Sequence, residues 1–127
     1  MDVPDFRAAR QYYRQREAQR HAQREAERQQ WLQRVREAIS RLALDYPGVR
    51  RAVLFGSLVK PGRFRPDSDI DIAVECDTLE VESAFWRALE RDLGRNVDVR
   101  PLAGAVAEAV ASSGEQVYER QDTRLDE

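Results

Sequence analysis

Two clusters of residues in this chain have the types and spacing to do chemistry. The first is Leu54-Phe55-Gly56-Ser57, and the second, reached through a basic loop, is Asp67-Ser68-Asp69-Ile70-Asp71-Ile72. Side chains alternate along a strand, so Asp69 and Asp71 share one face, roughly 6.5–7 Å apart along the chain. Two carboxylates held that close repel and raise each other's pKa unless a cation lies between them. Hard oxygen donors on a rigid strand suit Mg²⁺, which keeps part of its water shell and takes its other ligands from substrate phosphates. A Gly-Ser turn just after a buried strand lets backbone N–H groups approach a phosphate closely. A phosphate cradle beside paired carboxylates is what phosphoryl or nucleotidyl transfer requires.

The elements that must position these residues follow from the pattern around them. Ala52-Val53-Leu54-Phe55 is apolar throughout, which predicts a central strand over Arg51–Phe55 with both faces covered. The loop Lys60-Pro61-Gly62-Arg63-Phe64-Arg65-Pro66 holds two prolines and a glycine, which forbid a regular element. A second strand over Ser68–Glu75 buries Ile70, Ile72 and Val74 on the face opposite the carboxylates. A helix capped by Asp77 or Thr78 then runs to about Leu93, before Gly94. Its face Val81, Phe85, Trp86, Leu89 and Leu93 has core spacing. In a third strand over Asn96–Arg100, Val97 and Val99 point inward and Asp98 outward, toward Asp69 and Asp71 if the strands are neighbours. A short helix over Pro101–Ser112, a strand over Gln116–Tyr118 and a polar, disordered tail from Glu119 complete the expectation.

The N-terminal third reads differently. From about Asp5 to Leu44 there is no Pro or Gly, and Ala, Arg, Gln and Glu dominate, so a long helix is expected. From Trp31 the positions Trp31, Leu32, Val35, Ala38, Ile39 and Leu42 have core spacing. Before that, Ala18, Ala22 and Ala26 form one stripe and Arg16, Arg20, Arg24 and Arg28 a ridge opposite. Arginines four apart repel by a few tenths of a kcal/mol, so the ridge is either solvated and relieved by Glu17, Glu25 and Glu27 or a contact surface.

At 127 residues and a net charge of −2 the chain is one small domain. Residues 1–46 carry a balance of +3 and residues 47–127 one of −5, which argues against a broad nucleic-acid-binding surface on the second part. The single cysteine, Cys76, cannot pair internally, so a reducing cytoplasm is the expectation. No apolar run is long enough for a membrane span, and charges stand where a signal peptide would have its apolar core. The organisation expected is an N-terminal helical extension over 1–30, a catalytic domain over 31–118 and a tail over 119–127. The fold class is α+β: a small mixed sheet of three or four strands with helices packed on it, plus the long helix.

Gly56-Ser57, then Asp69-Ile70-Asp71, then Val97-Asp98-Val99, in that order on a strand, a strand and a neighbouring strand, resembles the minimal nucleotidyltransferase domain of the DNA polymerase β superfamily. The resemblance implies that Asp69 and Asp71 hold two Mg²⁺ ions. Asp98 would be the third carboxylate, binding the catalytic metal and helping to deprotonate the attacking hydroxyl. Gly56 and Ser57 would grip the outer phosphates of ATP, with Ser68 in support. Many minimal members carry an Arg soon after the Gly-Ser; here Leu58 and Val59 follow, and Lys60 or Arg63 is the expected replacement. The domain is short and offers half a substrate site. The resemblance therefore implies an antitoxin partnered by an all-helical HEPN ribonuclease toxin, onto whose tyrosine it moves AMP and with which it forms a complex. The long helix is the candidate for partner docking or self-association. Two other functions fit the residues: a binding module that blocks its partner by contact alone, and a transferase acting on a small molecule.

Overall fold

The structure, a computed structural model, describes residues 4–121. Helix α1 (Arg7–Ala43) leads into β1 (Val49–Phe55), a 3₁₀ turn (Gly56–Val59) and β2 (Ile70–Cys76). Helix α2 (Leu79–Leu93), β3 (Val97–Pro101), α3 (Gly104–Ser113) and β4 (Glu115–Glu119) follow. The strands form one mixed sheet in the order β3-β2-β1-β4. Strand β1 runs antiparallel to β2 and to β4, whereas β2 and β3 are parallel, joined by α2 as the crossover. The α+β expectation holds, with four strands and a long first helix.

Alternation along the strands divides the side chains between two faces. Ala52 and Leu54 of β1, Ile70, Ile72 and Val74 of β2, and Val97 and Val99 of β3 pack with α1 and α2 into one core. Phe85, Leu89 and Leu93 supply the α2 side, with Phe85 edge-on to Tyr46 at 5.9 Å. Val53 and Ala73, paired across β1 and β2, point to the other face and are also buried. Helix α3 lies against these same two strands. This second face is the one that bears Asp71.

Helix α1 is continuous for 37 residues, about 55 Å at 1.5 Å per residue, and passes through the expected boundary at residue 30 without a break. Its buried positions are Arg28, Leu32, Val35, Ala38, Ile39 and Ala43, so docking begins one turn before Trp31. Arg16, Arg20 and Arg24 are exposed, whereas Arg28 is not. The arginine ridge therefore ends at Arg24, and its fourth member belongs to the packed part of the helix.

Three local boundaries shift for identifiable reasons. Ser68 accepts a hydrogen bond at its hydroxyl from Arg65 N (2.9 Å) and donates its own N–H to Arg65 O (3.0 Å). That turn keeps Ser68 and Asp69 out of β2, which starts at Ile70. Thr78, not Asp77, caps α2, its Oγ1 accepting from Val81 N at 3.2 Å. The Asp77 carboxylate is taken by Arg50 and Arg120, which hold its pKa below the usual value. Thr78→Ala should lower stability by about 1 kcal/mol in chemical denaturation, and Asp77→Ala should leave the cap intact. Strand β4 extends to Glu119, and Arg120 N still donates to Arg50 O, so the chain is ordered at Glu119, where a disordered tail is expected to start; residues 122–127 of that expected tail lie outside the described residues. Among the described residues no helix is long and apolar enough to cross a membrane.

Candidate active site

The parallel register of β2 and β3 sets Asp71 directly opposite Asp98, and Ile72 opposite Val99. Partner residues in a parallel pair project to the same side, so the outward placement expected for Asp98 becomes a row with Asp71. Asp69 stands two residues before Asp71, exposed at the approach to the strand. Burial raises the Asp71 pKa above the ordinary carboxylate value, and the charges of Asp98 and Asp69 raise it further. Arg100 acts in the opposite direction, and its Nε donates to Asp98 Oδ2 at 2.9 Å. Among the described residues no three His, Cys, Asp or Glu side chains form a ready-made metal-binding group. The three aspartates are neighbours by register and by charge, not a closed cage.

Gly56 abuts this row. Its backbone is left-handed, with φ of +77°, as the 3₁₀ turn leaves β1. A Cβ at this position would fall 2.2 Å from Asp71 Oδ2 and 3.1 Å from its Cγ. Phe55, the residue before, is the register partner of Asp71. The corner is thus a glycine for two independent reasons, the sign of φ and the carboxylate packed against it. Ser57 follows in the same turn, its carbonyl accepting from Lys60 N at 3.1 Å. Lys60, Arg63 and Arg65 are exposed along the loop, and among the described residues none of their side-chain cations is hydrogen-bonded or ion-paired. The Ser68 hydroxyl is engaged in the Arg65 turn, which gives it a loop-closing contact.

The donors fit magnesium in their chemistry. They are hard oxygens, and burial, followed by the charges of Asp98 and Asp69, disfavours the Asp71 carboxylate, a cost that a divalent cation would relieve. Asp98 would have to exchange its bond to Arg100 for the ion. Two other reactive side chains lie outside the row. His21 is exposed on α1 with Glu17 at 3.8 Å. Cys76 has a thiol pushed up to about 11 by burial and by Glu82, Asp77 and Glu75, so it is no nucleophile at neutral pH.

Two arginines that touch this region carry little signal in the sequence. Arg95 donates from Nε and Nη2 to Ser68 O at 3.1 and 2.6 Å, immediately before Asp69. Arg28 donates to Leu58 O, immediately after Ser57. A trace of Arg28 exists: Arg28, Leu32, Val35 and Ile39 have core spacing, so the stripe could be extended one turn upward. For Arg95 no local pattern exists, because its partners are 27 and 30 residues away.

Residues 37–123 match the family model described as polymerase beta, nucleotidyltransferase. The chain belongs to that family. Similar solved structures are toxin–antitoxin complexes. One is an MntA–HepT complex (27% identity, TM-score 0.51, covering 70% of this chain and 74% of that one). Another is a toxin–antitoxin structure with AMP-PNP (29% identity, TM-score 0.56, covering 68% and 74%). A third holds a tri-AMPylated HEPN toxin of Shewanella oneidensis with its MNT antitoxin (27% identity, TM-score 0.52, covering 70% and 73%). Comparison with curated proteins gives no match.

Proposed function

We propose that this chain is an antitoxin that transfers AMP from ATP to a tyrosine of a cognate HEPN toxin and holds that toxin in a complex. The observation that carries the reading is the contact between Gly56 and the Asp71 carboxylate. In support of it, the left-handed glycine turn lies directly against Asp71, which stands opposite Asp98 in the sheet register, with Asp69 two residues before it. The similarity to toxin–antitoxin structures, one with AMP-PNP and one with an AMPylated toxin, supports the choice of nucleotide and partner.

In this reading Asp69, Asp71 and Asp98 would hold Mg²⁺, which supplies positive charge to the entering and leaving oxygens of an in-line displacement. The chain's own residues do the rest. The amides of Gly56 and Ser57 orient the outer phosphates, and Lys60 and Arg63, free along the loop, neutralise their charge. A tyrosine hydroxyl oxygen bonds to the α-phosphorus as the bridge to the β-phosphate breaks and pyrophosphate departs. Asp98, released from Arg100, takes the hydroxyl proton. Ser68 keeps Asp69 at the mouth of β2 by closing the preceding turn.

A contact-only antitoxin is favoured by one observation, the Asp98–Arg100 ion pair, which ties up the third carboxylate. Incubation with labelled ATP, Mg²⁺ and the product of the neighbouring gene separates the two. Transfer predicts label on the partner that disappears with Asp69→Asn or Asp71→Asn. Neutralisation that persists in both variants, with no label on the partner, would leave contact as the mechanism.

A further inference from the structure

Arg28 is the one buried charged side chain among the described residues, 5% exposed. Its Nη1 donates to Leu58 O at 2.9 Å, and its Nε donates to Glu25 Oε1 at 2.9 Å. That pairing holds Glu25 down to about 2. Leu58 is the third residue of the 3₁₀ turn that opens at Gly56, and its side chain is fully buried. The turn is therefore fixed by the core through Leu58 and by α1 through the Leu58 carbonyl. At the other end of the same loop, Arg95 donates to Ser68 O and, at 2.9 Å, to Arg65 O. Its guanidinium lies 4.8 Å from the Trp31 ring of α1 and 4.6 Å from the ring of Phe64.

The loop between these points has no regular structure, yet it joins Ser57 to Asp69. A triphosphate bridging the glycine corner and the carboxylates needs their separation to be constant. A guanidinium buried against a carbonyl forms a charge-assisted hydrogen bond, and its removal leaves the acceptor desolvated and unpaired. We propose that Arg28 and Arg95 are positioning residues that clamp the loop at its two ends. Helix α1, through Arg28 and Trp31, then braces the loop that spans the nucleotide site, besides any partner surface it provides. This rests on the transferase reading for its purpose but not for its geometry.

Arg36 supplies the control. It makes a two-pronged ion pair with Glu115 at 2.7 and 2.7 Å, tying the same helix to β4 and not to the loop. Backbone hydrogen exchange of nucleotide-free Arg28→Met should quicken about tenfold at residues 56–60, including the Lys60 amide, and Arg95→Met should do the same at residues 65–69. Arg36→Met should leave both segments protected. In the transfer assay Arg28→Met should raise KM for ATP about tenfold with a smaller change in kcat, and Arg28→Lys should recover part of the loss. If Arg28→Met and Arg36→Met change exchange equally across the chain, Arg28 only anchors a helix and the clamp is overturned. Selective loss of protection at 56–60, in a protein whose wild type transfers no nucleotide, would support the clamp and overturn the transferase reading alone.

Discussion

Replacing Asp71 by asparagine should reduce AMP transfer by about 10³-fold or more while leaving the metal-free protein at least as stable as wild type. The first half follows from the loss of a carboxylate that would hold the divalent cation, whose positive charge would offset the negative charge developing at the α-phosphate; losses of this order follow where preorganised electrostatics are removed. The second half follows from where the carboxylate sits. Burial, Asp98 and Asp69 all disfavour its charged form, so the folded pKa lies above the ordinary 3.8. For an acid with a raised folded pKa the penalty is absent well below the ordinary value. It grows as the pH rises from there and is complete above the folded pKa. Above that folded pKa wild type carries the penalty in full, and asparagine, uncharged and of the same shape, does not. The difference between the two proteins in denaturant should therefore favour the variant at pH 7 and narrow on acidification. A variant less stable than wild type by more than about 1 kcal/mol would mean that the carboxylate holds the fold together rather than serving a ligand. An active-site charge kept at the expense of stability is the expected trade where function and packing conflict.

What could be read in the sequence, and what could not, divides along the range of the interaction responsible. The period-two face of β2, the apolar run of β1 and the glycine corner are consequences of neighbours within a few residues, and they were legible. Asp98 needed one more step. Val97 and Val99 fix its face, but only the parallel pairing of β2 with β3 sets it opposite Asp71. Alternation alone puts Ser68 in the strand, because the bond its hydroxyl accepts from Arg65 N is a turn contact that no period-two pattern anticipates. Asp77 has the right type to cap α2, but Arg50 and Arg120, from β1 and beyond β4, claim it. Arg28 shows the limit most clearly. Its spacing fits both a solvated ridge with Arg16, Arg20 and Arg24 and a core stripe with Leu32 and Val35. Only the carbonyl of Leu58, 30 residues later, decides between them.

Gly56→Ala tests the geometry on which the site depends. The added Cβ must occupy a left-handed backbone at φ of +77° and displace the Asp71 carboxylate, whose Oδ2 would be 2.2 Å away. Strain of this kind costs about 1–3 kcal/mol, so a loss of stability in that range is expected in denaturant. The effect on transfer should be larger, about 10²-fold or more, because a sub-ångström shift of the corner relative to the carboxylate spoils the alignment of the reacting phosphate. A double-mutant cycle with Asp71→Ala separates the two causes. Truncation removes Oδ2 and Cγ and leaves only the residue 71 Cβ, 3.2 Å away, so the stability penalty of the alanine at 56 should shrink while the part due to φ remains. Coupling of about 0.5–3 kcal/mol is expected for groups in contact. Strict additivity would show that corner and carboxylate do not touch in solution, and with that the phosphate and carboxylate halves of the site would come apart. Because neither residue 56 nor residue 71 lies on α1, the same single variant should still bind its partner if docking runs through the helix. That outcome would place catalysis and docking on separate parts of one small domain.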